Sequence, residues 1–451
     1  MTNLSPDNPP HHIMIIAKRT LLTIKRFVHG EAISGVILVF TTFAALVLAN
    51  SHSGQTYEQF WNAPLSITLA GAPLSINLHF VVNDILMTIF FLVAGMEIRQ
   101  EIYDGALSQL KLALLPMLAA IGGVCVPAII YFSFNYLPQT SHGWAVPTAT
   151  DIAFAVGILA LLGKSVPYNL KIILLALAII DDIIAIVVIA LFYSVGFNIY
   201  GLPVAIVAFV LVFLLQRIKV ASAWFYIVPA AILWSGLMFC GVHPSLAGVI
   251  LGLLTPVILP TAPTTFSTAS FRNILPDIKT KKTKSKSAPD KRDTGQYKNL
   301  KAAQLPPVLR VQQALVPWVQ FIIMPLFALA NAGINFSSVD FTDKHSLSII
   351  IGIGGGLVLG KPIGILAACF LAFKSGLCCL PPHVDWKGLL LIGFLGGIGF
   401  TMAIFTATLS FNDANQLDAA KLAVLSGSFV SALLGLAYGI WYCLSSKRPP
   451  H

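Results

Sequence analysis

The chain has 451 residues, of which 57% are hydrophobic and only 10% charged, yet its formal net charge is +10. A soluble domain carries about 25% charged residues and a disordered chain has low hydrophobicity. Both classes are excluded, and a polytopic membrane protein remains. The basic excess then points to a cytoplasmic membrane face, where Lys and Arg collect, and not to nucleic acid.

Residues 1-30 are expected to form a cytoplasmic N-terminal segment. Ile13, Ile16, Leu21, Ile24 and Val28 stand there among Lys18, Arg19, Lys25 and Arg26. Either a short amphipathic helix on the inner membrane surface or an unstructured tail fits that pattern. A membrane-spanning helix needs about 20 apolar residues. Runs of that kind predict twelve helices over 31-49, 77-103, 113-134, 139-161, 168-193, 200-217, 223-239, 241-258, 308-333, 347-373, 387-411 and 420-443. Helices one to eight fill 31-260 and helices nine to twelve fill 307-443; a cytoplasmic tail, 444-451, follows. The seventh and eighth runs are short for simple spans.

Between the first two helices, residues 65-78 alternate in period two around Ala70-Gly71-Ala72-Pro73. That pattern reads as a small external β-hairpin. A lone hairpin is marginal in water, so a second copy of the chain is its simplest partner. Residues 261-306 hold ten Lys/Arg and three Asp, including the run from Lys279 to Lys286. Ser, Thr and Pro fill the rest, as in a flexible cytoplasmic loop that fixes topology; contact with membrane lipid is a second reading.

The connecting loops alternate in charge. Lys111, Lys164, Arg217, Lys219, Lys374, Lys447 and Arg448 fall on one side together with the N-terminal cluster, and Lys344 is the clearest exception. Both termini are therefore expected in the cytoplasm. Cys125, Cys240, Cys369, Cys378, Cys379 and Cys443 contain no CxxC pair and read as reduced packing residues.

A charge at the bilayer centre costs about 2.5–3.5 kcal/mol on insertion scales. Asp151, Asp181, Asp182 and Lys361 lie deep within predicted spans four, five and ten. Four charges from three helices thus share one depth. Two spans are also interrupted there, span four at Pro147-Thr148-Ala149-Thr150-Asp151 and span eleven across Gly393 to Gly399, including Gly396 and Gly397. Unwound backbone at that depth is tolerated where it lines a cavity or is buried in protein. Interrupted helices in two halves of a chain mark a transporter's midplane site. Asp181 and Asp182 are about 100° apart on one helix, so one can face a cavity while the other faces a helix partner. In a dry site the two repel and titrate as a coupled pair. Their hard oxygens suit both an alkali cation and a proton. Competition between the two is sufficient for obligate exchange when the site faces one side at a time. Lys361 fits as the counter-charge to Asp181, and Asp151 can balance helix N-termini exposed at the break.

At these residues the chain closely resembles the NhaA-type sodium/proton antiporters of bacterial inner membranes. The segments that carry the resemblance surround Asn83-Asp84, Gly95-Met96-Glu97-Ile98-Arg99-Gln100-Glu101, Thr150-Asp151, Asp181-Asp182, Gly241-Val242-His243-Pro244, Ala330-Asn331, Gly360-Lys361-Pro362 and Gly396-Gly397-Ile398-Gly399-Phe400-Thr401. They run in order through nearly all of the membrane domain. The resemblance implies an all-α polytopic membrane protein of twelve transmembrane helices, with inverted repeats and two crossed, discontinuous helices, spans four and eleven. It implies Asp182 as the main cation and proton carboxylate, with Asp181 beside it and paired to Lys361, so that Na⁺ binds at Asp182 and Asp181. Asp151 and Thr150 belong to the crossing. Asp84 supports cation transport, Glu97 and Glu101 lie near the cytoplasmic entrance, and His243 matches a histidine linked to pH response. The 65-78 hairpin corresponds to a homodimer contact. The implied activity is electrogenic export of Na⁺ or Li⁺ for inward protons, two per cation, with no cofactor and a role in sodium and pH homeostasis.

The chain departs from that pattern at Ile184, where the family usually has Gly, and at Gln312, Gln313 and Val316, where it has an acid and two histidines. Steep pH activation is put in doubt by the second departure. Other classes fit less well. An intramembrane aspartyl protease needs GxGD, and Gly399 is followed by Phe400. A Mg²⁺-diphosphate enzyme needs DDxxD, and Asp181-Asp182 lacks the third acid. The alternative kept is a sodium-coupled symporter of a small organic solute, which needs a larger polar pocket. A channel would need a filter or a pore-lining charge ring.

Overall fold

The computed structural model describes residues 33–69, 72–108, 110–163, 166–194, 198–218, 220, 222–257, 307–336, 341–382 and 384–445. The N-terminal segment 1-30, the basic loop 261-306 and most of the tail 444-451 lie outside the described residues.

Helix α1 (Ile33–Ala49) is followed by α2 (Gly54–Asn62), turned from it by 112°. Strands β1 (Pro64–Leu69) and β2 (Ala72–Asn77) pair antiparallel with Pro64 opposite Asn77 and Leu69 opposite Ala72. The hairpin expected over 65-78 is therefore present. Its second strand stops one residue early, because the Asn77 side chain accepts the Phe80 N–H at 2.8 Å and caps the next helix. That helix is α3 (Leu78–Tyr103), followed by α4 (Ala113–Phe134). The pair α5 (Pro138–Thr148) and α6 (Ile152–Leu161) bends by 42°. Then come α7 (Tyr168–Phe192), α8 (Ile199–Arg217) and α9 (Ala223–Cys240), and the short α10 (Leu246–Leu254). After the loop lie α11 (Pro307–Asn331), α12 (Lys344–Lys374), the pair α13 (Trp386–Gly396) and α14 (Phe400–Ser410) bent by 47°, and α15 (Ala414–Ser445).

Among the described residues, eight helices are long and apolar enough to cross a membrane, or up to eleven if each bent pair is one span. The protein is thus a helical polytopic membrane protein with one small two-stranded sheet. The eighth expected span, 241-258, is a helix of nine residues. Gly241 ends α9 in the left-handed conformation, φ 78°, and Pro244 follows in the linker, where it cannot continue a helix. At 1.5 Å per residue, α10 covers less than half of a hydrocarbon core about 30 Å thick.

Burial explains which helix is central. In α7, 67% of the most apolar stretch is buried, against 22% in α8 and in α9. Helix α7 touches α3, α4, α6 and α13, while α8 and α9 pack mainly on each other. Lipid tails are as apolar as Leu, so helices here associate by close packing and polar contacts. Helix α10 shows this against α3. A side chain at Gly248 would strike the Thr88 carbonyl, and one at Gly95 would strike the Val249 carbonyl. Glycine at both positions lets the two backbones touch. Three helices also carry a π-helical turn: Val81–Leu86 in α3, Val319–Ile323 in α11 and Gly356–Gly360 in α12. Such turns free backbone groups and often mark functional positions.

Candidate functional site

Two of the three bent pairs, α5–α6 and α13–α14, meet at their breaks. Residues 149–151 separate α5 from α6, and 397–399 separate α13 from α14. The Asp151 N–H donates to the Ile398 carbonyl at 2.7 Å, which ties one break to the other. The Asp151 carboxylate then serves two helix ends. Its Oδ1 accepts the Phe154 N–H at 3.1 Å and caps α6. Its Oδ2 accepts the Thr401 N–H at 3.2 Å and the Thr401 hydroxyl at 2.5 Å, at the start of α14. A helix N-terminus carries unsatisfied N–H groups and about half a positive charge, so two of them compensate a carboxylate that is 1% exposed.

Beside this junction, α7 and α12 supply an ion pair. Lys361 Nζ lies 2.6 Å from Asp181 Oδ2, and both side chains are buried. Thr150 joins them to the break. Lys361 donates to the Thr150 hydroxyl at 2.9 Å. That hydroxyl has two acceptors in reach, Asp181 Oδ2 at 2.7 Å and the Gly396 carbonyl at 2.9 Å. It carries one proton, so it serves one of them at a time. Asp181 Oδ1 is buried with no hydrogen-bond partner among the described residues. An uncompensated lone pair of that kind, on a carboxylate already paired on its other oxygen, is a ready cation ligand.

Asp182 differs from both of its carboxylate neighbours. It is 7% exposed, and no residue described here hydrogen-bonds or ion-pairs with it. The charges close enough to act on it are Glu97, Asp181, Asp151 and Lys361. Four carboxylates, Asp182 included, and one ammonium thus lie close together. Asp151 is balanced by helix ends and Asp181 by Lys361, which leaves the Asp182 charge without a partner.

The remaining expected residues fall into two groups along α3, of which the Glu97 group borders the Asp182 site. On α3, Asp84 Oδ1 lies 3.7 Å from His243 Nε2, and His243 Nδ1 is 2.7 Å from the Ser245 hydroxyl. The His243 ring stands edge-on to Phe405, centroids 5.5 Å apart. Farther along α3, Gln312 Nε2 donates to Glu97 Oε1 at 3.4 Å, and the Glu101 carboxylate reaches back over Gly105. Of the Gly run, Gly396 closes α13, while Gly397 and Gly399 lie within the break. Gly393 remains helical against Pro362.

Several polar contacts escape a reading of the sequence. Thr401 stands two residues past Gly399, the last of the Gly run, and a hydroxyl so near a predicted break was the available signal. Asn83 and Asn331 exchange amide hydrogen bonds at 3.1 and 2.7 Å between α3 and α11. Gln312 is legible only as a departure from an expected acid; that it reaches Glu97 depends on how α11 docks on α3.

The sequence pattern of the family described as Na+/H+ antiporter 1 matches residues 25–438. The chain is 52% identical over 448 residues to the protein named Na(+)/H(+) antiporter NhaA of Bartonella bacilliformis, covering 99% of each chain. It is 53% identical over 451 residues to the protein of that name from Bartonella tribocorum, covering 100% of this chain and 99% of the relative. Against Na(+)/H(+) antiporter NhaA 2 of Pseudomonas putida the identity is 50% over 432 residues, 94% of each chain.

Proposed function

The chain belongs to the Na+/H+ antiporter 1 family and is a sodium/proton antiporter of a bacterial membrane, and we propose that exchange runs through Asp182, with Asp181, Lys361, Thr150 and Asp151 completing the site. The observation that carries this reading is Asp182 itself. It is a buried carboxylate with no hydrogen bond among the described residues, beside a neighbour that already has its ammonium. A proton or a Na⁺ ion can each cancel that charge, and both need the same oxygens. The site therefore holds one or the other.

The polar surroundings divide the work. The Asp181–Lys361 pair, 2.6 Å apart, must loosen when Asp181 turns an oxygen toward the cation, and this pair is where the second proton of a two-for-one exchange is held. Asp151, fixed by Phe154 and Thr401, keeps the two breaks in register and does not bind cargo. Thr150 passes its hydroxyl between Asp181 and the Gly396 carbonyl, so it senses which arrangement the break has taken. Glu97 and Glu101 line the cytoplasmic approach, and Asp84 with His243 lines the external one. Two protons for one Na⁺ moves one net charge per cycle, assisted by about 2.3 kcal/mol per 100 mV.

In this reading α10 is the eighth crossing and brings the eleven spans to twelve, a half-length helix entered through the turn at 241–245. The fold then has inverted repeats in which the two bent pairs cross. Both termini lie in the cytoplasm, and the membrane is the inner one. No cofactor takes part. A sodium-coupled symporter is the alternative that the relatives' names do not favour.

In everted membrane vesicles with an acid interior, Na⁺ or Li⁺ should dequench a ΔpH-sensitive dye, and K⁺ should not. Clamping the membrane potential at zero should slow the response. An equal response to K⁺ would reject the site as drawn, and indifference to the potential would reject the stoichiometry.

The hairpin β1–β2 presents Leu65 41% exposed, on a sheet of only two strands. Such a ribbon gains its missing strands from another copy, and a homodimer through 65-78 follows. Deleting 65–77 should give a monomer on sizing in mild detergent; a dimer from the deleted chain would exclude the hairpin as the contact.

A further inference from the structure

A buried hydroxyl outside the transport site carries a further step. Ser431 on α15 is 0% exposed, and its Oγ has no hydrogen-bond partner among the described residues. A helical serine ordinarily bonds back to the preceding turn, as Ser426 of the same helix does to the Leu422 carbonyl at 2.8 Å. Ser431 does not. Its hydroxyl lies against Gly397, where an added side chain would meet both Ser431 Oγ and the Leu357 carbonyl. Only glycine leaves that meeting point open. Leu357 belongs to the π-helical turn Gly356–Gly360, which leads directly into Lys361.

One turn away on the same face of α15, Ser428 does have a partner. Its Oγ accepts the Phe400 N–H at 3.0 Å, and it is buried. Phe400 has φ 24°, the one non-glycine residue with positive φ among those described. Non-glycine residues hold such a conformation only where their surroundings enforce it, and these positions cluster at switch regions. Two serines three residues apart thus face one helix break, one gripping a strained amide and the other gripping nothing.

An unpaired buried hydroxyl destabilises the conformation that contains it, so alanine would be the more stable choice at 431 if this were the only conformation. Alternating access requires the break to have a second arrangement. We propose that Ser428 and Ser431 form a two-position rail for the break between α13 and α14. Ser428 holds the Phe400 amide in the conformation described, and Ser431 binds the Gly397 peptide group when the site turns to the opposite side. The proposal deepens the exchange reading above and rests on it. Ser431 acts by positioning the break and touches no cargo.

The test is Ser431→Ala in the full chain, with thermal unfolding in detergent and Na⁺-dependent exchange in everted vesicles as paired readouts. The melting temperature should hold or rise, because no partner is lost in the resting conformation. The maximal exchange rate should fall about tenfold, the factor that one buried hydrogen bond of the second arrangement supplies. The apparent KM for Na⁺ should stay within about twofold, since ground-state binding is untouched. A lower melting temperature would show that Ser431 is already bonded at rest, and an unchanged rate would show that it never becomes so; either result overturns the rail. The unmodified chain and Asp182→Asn, assayed in the same vesicles, report separately on whether the exchange reading itself holds.

Discussion

Asp182→Asn is expected to abolish Na⁺-dependent and Li⁺-dependent proton movement while leaving the fold intact. The substitution keeps shape and removes the charge. An amide holds neither the transported proton nor the negative charge that draws a cation out of water, so both halves of the exchange are lost at once. The stability side follows from what surrounds the residue. No hydrogen bond or ion pair to Asp182 exists among the described residues, and Glu97, Asp181 and Asp151 are close enough to repel it. Removing one of several like charges from a dry site relieves repulsion and orphans nothing. Everted vesicles should show no dye response to either ion, and the melting temperature should be at least that of the unmodified chain. Exchange that persists in Asp182→Asn would remove the central claim.

Lys361→Ala should have the opposite signature. Lys361 is 0% exposed and is the only basic group within ion-pair distance of Asp181 among the described residues, at 2.6 Å. It also donates to Thr150. Its loss leaves a buried carboxylate without its counter-charge and a cavity the length of a lysine side chain. Breaking a buried pair from one side costs about 3–5 kcal/mol, a large share of the 5–15 kcal/mol typical of a folded domain. Thermal unfolding in detergent should show a clear drop. Lys361→Met, which fills the cavity, should keep the charge part of that drop, and adding Asp181→Asn to it should recover most of that part, because a pair replaced on both sides by neutral groups leaves no charge unpaired. A Lys361→Ala protein as stable as the original, or a double variant no better than the single one, would mean that the pair is not held as described. The two substitutions therefore separate the roles: Asp182 carries cargo at little structural cost, and Lys361 keeps the site foldable.

Much of this was legible in the residues alone. In a chain with so few charges, Asp151, Asp181, Asp182 and Lys361 stand out inside apolar runs, and the cost of desolvating them makes their shared depth meaningful. The breaks were legible for a similar reason, since Pro147, Gly397 and Gly399 cannot sit in lipid-facing helix without consequence. The hairpin declared itself by a period of two. Less visible was α10. Its sequence is apolar throughout, and hydropathy does not register a left-handed Gly241 followed by Pro244, so the run reads as 241-258, short for a simple span yet longer than the nine-residue helix that forms. The 112° turn between α1 and α2 was hidden likewise.

The sequence by itself determined the class, the depth of the charges and the places where helices must unwind. Each of these follows from transfer free energy and backbone geometry acting on neighbours in the chain. The tertiary structure alone decided the partners. Whether Thr401 reaches Asp151, Gln312 reaches Glu97, His243 reaches Asp84, or Ser431 is left facing Gly397 depends on how helices far apart in sequence rotate against one another. Those rotations are set by side-chain packing summed over whole interfaces, such as the glycine contact of α3 with α10. No local pattern encodes them, so Ser431 is one serine among many until the break comes to rest beside it.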